Sequence, residues 1–238
     1  MQRLPGILGF FLLAAALAAA SASPSDAGPR NKWSVSCGAD KGAITRSGNT
    51  WTFKTSSNHC VGGTFNQRAE INTRRFSATT RGTYRVQTFV SMRANPPGRF
   101  DIMQIHDGRY GCAPPLKIQV QSSGEITFDS AFKSGSGGTK NCVKNRALLK
   151  GGSPGRIRQD GTEYKLDVIF DFDGNGGFDV IVFLDDRLQI SGTYSFVAGK
   201  GYREATHFRI KHGVYSKQLF QYEMRSRDLS VKRVRLAN

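Results

Sequence analysis

Tyr164-Lys165-Leu166-Asp167-Val168-Ile169-Phe170 is the stretch on which the fold turns. Tyr164, Leu166, Val168 and Phe170 recur at every second position, the period of a strand with one buried and one open face. Tyr84-Arg85-Val86-Gln87-Thr88-Phe89-Val90 and Leu116-Lys117-Ile118-Gln119-Val120 repeat the pattern, and Trp51-Thr52-Phe53 is a shorter instance. Gly, Asn, Asp and Pro separate such segments, and no stretch sustains a 3.6-residue period. Ser134–Thr139 and Gly151–Gly155 read as loops. The 27 glycines among 238 residues favour a turn-rich fold, and a 38% hydrophobic content is ample for a core. With no composition break and no repeat, residues 23–238 are expected to form one all-β domain. The expected form is a concanavalin-like β-jelly-roll sandwich of two antiparallel sheets.

The N-terminus sets the compartment. Arg3 precedes an apolar run from Gly6 to Ala20, and Ala20-Ser21-Ala22 fits an A-x-A cleavage site, so residues 1–22 read as a secretory signal peptide. The run is short for a membrane anchor. Export places the protein outside the cell, or in the periplasm of a Gram-negative bacterium. Four cysteines remain: Cys37, Cys60, Cys112 and Cys142. An even number in an exported chain favours two disulfides over a zinc site. Of three pairings, Cys37–Cys60 with Cys112–Cys142 closes the shortest loops.

Lys and Arg number 34 against 18 Asp and Glu, a net charge of +16, which asks for an anionic partner. Export disfavours nucleic acid, no nucleic-acid motif appears, and an acidic polysaccharide bound by a monomer is expected. The C-terminal Arg225, Arg227, Lys232, Arg233 and Arg235 alternate with apolar residues and read as a solvated edge strand or a binding tail.

Alternation also assigns faces. Arg68, Glu70 and Asn72 share one side of a strand, as do Gln104 with His106, and Arg209, Lys211, Gly213 and Tyr215. Phe208, Ile210, His212 and Val214 take the opposite side. If these strands neighbour one another, they line a polar groove on one face.

The same segments carry a resemblance. Gln104-Ile105-His106 resembles the Gln-Ile/Val-His motif of alginate lyases of polysaccharide lyase family 7. Arg68-Ala69-Glu70-Ile71-Asn72 resembles that family's Arg-Ser/Thr-Glu-Leu-Arg strand, with Asn72 in place of the second Arg. Ile210-Lys211-His212-Gly213-Val214-Tyr215-Ser216 resembles its Phe-Lys-Ala-Gly-Val-Tyr-Asn strand, with His212 for Ala. Gly177–Asp186 looks like the hairpin that precedes this last strand in jelly-roll lyases. The compact length, and His59 ahead of the first motif, look closer to glucuronan lyases of polysaccharide lyase family 20. There a His, a Gln and a Tyr are central, an order that His59, Gln104 and Tyr215 fit. The resemblance implies a lyase that cleaves a 1,4-linked polyuronate, preferably glucuronan and alternatively alginate, in endo fashion and without a cofactor.

That chemistry needs such residues. A polyuronate lyase removes the C5 proton and expels the 4-linked oxygen, leaving a 4,5-unsaturated end. The neighbouring carboxylate must be neutralised first. Arg68 can do so with a forked pair of bonds, oriented by Glu70, while Gln104 and His59 or His106 add donors. Asn72, Arg209 and Lys211 are expected to hold the substrate. In glucuronate and mannuronate the proton and leaving oxygen lie on one side, so Tyr215 can serve as base and then acid. In guluronate they lie on opposite sides, and a His base facing a Tyr acid is required. A non-catalytic binding module for acidic polysaccharide would use the same groove without turnover. A glycoside hydrolase would need two flanking carboxylates, for which no motif is present.

Asp171-Phe172-Asp173-Gly174-Asn175-Gly176 matches the start of a calcium loop but lacks its twelfth-position Glu. Asp171, Asp173 and Asn175 are therefore expected to hold a structural calcium or to form a hairpin turn.

Overall fold

The structure, a computed structural model, describes residues 28–58, 66–109, 111–134, 142–148, 152–196 and 201–235. The segment expected to be a signal peptide, His59 and Cys60 lie outside the described residues. In chain order the strands are β1 (Trp33–Val35), β2 (Ile44–Ser47), β3 (Thr50–Lys54), β4 (Gln67–Thr73), β5 (Phe76–Ser77), β6 (Arg81–Ala94), β7 (Phe100–His106) and β8 (Leu116–Val120). There follow β9 (Ile126–Asp129), β10 (Ala131–Lys133), β11 (Cys142–Lys144), β12 (Asp160–Asp173), β13 (Phe178–Leu184), β14 (Arg187–Tyr194), β15 (His207–Ser216) and β16 (Tyr222–Val234). No helix occurs among the described residues.

Two antiparallel sheets form the expected sandwich. The first runs β1-β4-β15-β7-β8-β9, with β5 also paired to β15; the second runs β14-β13-β12-β6-β16-β3-β2. Between them lies one continuous core rich in phenylalanine, including Phe53, Phe170, Phe172, Phe178 and Phe208, supplied by alternate residues of both sheets. Phe172 contacts Phe178 and Phe208 with centroids 5.7 and 6.2 Å apart, so a ring cluster joins β12, β13 and β15. The quoted alternation of Tyr164–Phe170 falls inside β12, and Leu116–Val120 is β8 itself. The expected hairpin is β13–β14, whose turn residues Asp185 and Asp186 adopt φ of 50° and 62°. That left-handed pair suits the twist of two-residue hairpins.

Three expectations change or stay partial. β16 is not an edge: it pairs with both β6 and β3 at the centre of the second sheet. Its charges project outward while Met224, Ser226 and Val231 are buried, so a central strand carries a basic solvent face. Cys112–Cys142 is a disulfide as expected. Cys37 is also disulfide-bonded, and the expected pairing to Cys60 falls outside the described residues.

Asp171 and Asp173 of the segment read as a calcium loop or a hairpin turn have partners within the protein. Asp171 accepts from the Thr83 hydroxyl at 2.8 Å. Asp173 Oδ1 accepts from the backbone N–H groups of Asn175 (2.6 Å) and Gly177 (3.0 Å). Asp173 thus folds the β12–β13 turn on itself while Asp171 ties β12 to β6, and no cluster of three His, Cys, Asp or Glu able to hold a metal occurs among the described residues.

Candidate active site

Strands β4, β15, β7 and β8 stand side by side in the first sheet, so residues far apart in sequence become cross-strand neighbours. One row reads Asn72–Lys211–Gln104–Lys117, continuing to Asp129 on β9. A second reads Arg68–Tyr215–Asp101–Gln119. His106 lies opposite Arg209 at one end. Eight of the nine expected catalytic and substrate-binding residues therefore share one face; the ninth, His59, is outside the described residues.

Local irregularities set this arrangement. Between β15 and β7 the register advances three residues against two, from His212↔Met103 to Tyr215↔Asp101. Between β7 and β8 it advances two against one. Such bulges re-aim side chains next to sites. Gly213, at φ 137°, occupies the step in β15. A Cβ there would lie 2.3 Å from the Ala69 carbonyl oxygen, so only glycine lets β4 come this close.

Glu70, 1% exposed, is the hub. Its Oε2 lies 3.2 Å from Arg68 Nε and 3.8 Å from Lys211 Nζ, and Oε1 accepts from the Gln104 amide. The carboxylate fixes which way the Gln104 amide points, because only its NH₂ can donate. Burial lowers the Lys211 ammonium's pKa against the pull of Glu70. The Arg68 guanidinium lies over the Tyr215 ring, 4.2 Å from its centroid, and Lys117 Nζ sits 5.9 Å from the same ring.

His106 is held neutral. Its pKa is lowered to about 2, first by burial and then by the positive charges of Lys211, Arg68, Lys133 and Arg209. Its Nδ1 accepts the Gly108 backbone N–H at 2.8 Å. The ring proton therefore belongs to Nε2, which makes His106 a donor there.

Sequence reading missed Asp101, Lys117 and Gln119. Asp101 is buried 3.2 Å from Lys117 Nζ and accepts from Gln119 at 2.6 Å, and burial raises its pKa to about 6 despite Lys117. The signal was present: Lys117 and Gln119 are the polar members of the alternating stretch Leu116–Val120. On the opposite face of β15, His212 bonds Ser226 of the second sheet, and burial lowers its pKa to about 4.

No family model matches the chain, and no curated protein matches it. Solved structures do. An alginate lyase of polysaccharide lyase family 7, A1-II′, aligns at TM-score 0.53 and 15% identity over 82% of this chain and 85% of its own. An endo-β-1,4-glucuronan lyase from the fungus Trichoderma reesei aligns at 0.53 and 11% over 86% and 88%. The alginate lyase from Klebsiella pneumoniae aligns at 0.51 and 16% over 84% and 87%. The chain thus has the jelly-roll fold of these lyases, in agreement with the resemblance read from its motifs.

Proposed function

We propose that the protein is an exported polysaccharide lyase that cleaves a 1,4-linked polyuronate by syn β-elimination. The observation that carries this reading is the grouping of Tyr215, Arg68, Gln104 and His106 on one desolvated sheet face around Glu70. Arg68, Gln104 and the Nε2–H of His106 are the donors that neutralise the uronate carboxylate. The low exposure of Arg68 and Gln104 strengthens that hold, because little water competes for them. Tyr215 removes the C5 proton as the phenolate and becomes the neutral phenol, with the Arg68 guanidinium lying over its ring. The same hydroxyl returns the proton to the leaving 4-oxygen. Arg209, Lys211 and Asn72 hold flanking units.

Among the described residues, His106 is what favours syn over anti elimination. An anti reaction needs a histidine base opposite Tyr215, and a ring whose Nδ1 is occupied and whose Nε2 bears hydrogen has no lone pair to offer. Substrates with syn geometry, glucuronan and the mannuronate blocks of alginate, fit the site better than polyguluronate. The similarity of fold to both an alginate lyase and a glucuronan lyase supports the substrate class.

The test is absorbance of the 4,5-unsaturated end during incubation with glucuronan, polymannuronate, polyguluronate and heparin. Signal on the first two with little on polyguluronate is expected. Binding without any absorbance would leave a non-catalytic module in place of an enzyme.

A further inference from the structure

Both tryptophans of the chain, Trp33 and Trp51, line one cleft of about 480 Å³. It opens where β1, the edge of the first sheet, meets β2 and β3, the edge of the second. Lys32, Arg46 and Arg74 line it too, and none of the three takes part in an ion pair among the described residues. The cleft's acid, Asp228, is paired with Arg227 Nη1 at 2.7 Å and accepts from the amide of Asn49, which also lines the cleft. Arg46 is held in place: its guanidinium carbon is 5.2 Å from the Trp51 ring centroid, and its Nε donates to the Gly48 carbonyl at 3.1 Å.

The cleft adjoins the polar face of the first sheet. Ser34 lines it, is the cross-strand partner of Asn72, and accepts from the Asn72 amide at 3.2 Å. The row Gln104–Lys211–Asn72 therefore runs straight into it. Two strand spacings, about 10 Å, separate β15 from β1, so a polymer that lies along this face extends naturally into the cleft.

We propose that this cleft is an accessory site for one uronate unit of an acidic polysaccharide. Arg46 and Arg74 take the carboxylate, and the sugar ring packs on the half-buried Trp33 indole. The identity of the polymer rests on the reading of the groove given above; the anionic, ring-bearing ligand rests on the cleft itself.

The test compares the full chain with its Arg46→Ala/Arg74→Ala and Arg46→Lys/Arg74→Lys variants. Retardation is measured in native gels cast with glucuronan, alginate, a neutral glucan or single-stranded DNA. Loss of two partly exposed charge-assisted contacts should weaken polyuronate retardation about two- to tenfold in the alanine variant and less in the lysine variant. KM on polymer should rise by a similar factor, with turnover of a tetramer unchanged. Unaltered polyuronate retardation overturns the proposal. So does an equal loss of tetramer turnover, or an equal loss of retardation in the DNA gel. Retardation is read without turnover, so a chain that is retarded through this cleft but yields no unsaturated ends removes the lyase reading and leaves this one standing.

Discussion

Replacing Glu70 by Gln removes the carboxylate to which Arg68, Lys211 and Gln104 are all joined, with almost no change in volume. Glu70 is 1% exposed and Arg68 6%, so water cannot substitute for the lost partner. Breaking one member of a buried ion-pair group costs about 3–5 kcal/mol, because the surviving charges stay buried without compensation. For a domain of this size each kcal/mol shifts Tm by about 2–4 °C, so Glu70→Gln should lower Tm by about 6–20 °C. Lyase turnover should fall by about 10²-fold as the Arg68 fork and the Gln104 amide lose their common anchor. Thermal unfolding followed by circular dichroism at pH 7, with turnover on polymannuronate, measures both. The double variant Glu70→Gln/Lys211→Met removes the stranded ammonium and should recover part of the stability, though not the turnover. A Tm within about 2 °C of the parent, at full turnover, would refute the hub reasoning.

Tyr215→Phe should abolish formation of unsaturated ends while leaving polyuronate retardation in native gels largely intact; undiminished absorbance in that variant removes Tyr215 from the chemistry. Gly213→Ala should destabilise by about 1–3 kcal/mol or prevent folding, because the left-handed backbone and the Ala69 carbonyl both oppose a Cβ; a Tm unchanged in unfolding scans counts against the bulge. Stability should also fall on acidification. His106 and His212 stay neutral in the fold, at about 2 and about 4, whereas the unfolded chain binds their protons below about 6.5. The unfolded state then holds more protons, so stability rises with pH across this window, by about 1.4 kcal/mol per unit for each histidine. Asp101, raised to about 6, opposes one of them between about 3.8 and 6, since there the fold holds the extra proton. The net expectation is a Tm that drops from pH 6.5 to 4; a rising Tm is the contrary result.

The site was legible to the extent that it is written in alternation. Arg68, Glu70, Gln104, His106, Lys211 and Tyr215 each stand at the open position of a period-two stretch, and a shared sheet then brings them together. What period two cannot carry is the order of strands. Asp101 lies opposite Tyr215 only because two bulges shift the register, and a bulge leaves no mark in hydrophobic pattern. The basic residues of β16 misled for a related reason. A strand with one charged face resembles an edge, yet its other face carries Met224 and Val231 into the core and both its backbone edges are paired. Asp and Asn before Gly serve a turn as readily as a cation, so the segment from Asp171 to Gly176 reads both ways in sequence; the backbone bonds of Asp173 give it the role of a turn.

β15 carries two separate duties on alternate residues. Lys211 and Tyr215 stand on the polar face with Asn72 and Arg68, while Ile210, His212 and Val214 hold the sheets together. A one-residue insertion or deletion here would trade the two sets, sending an ammonium and a phenol into the phenylalanine core and exposing the apolar side. The length of this segment is thus as constrained as its composition. Relatives that came to favour a different uronate are expected to have done so by exchanging side chains at fixed positions along β15, and by altering connecting loops, but not by changing the number of residues between Phe208 and Ser216.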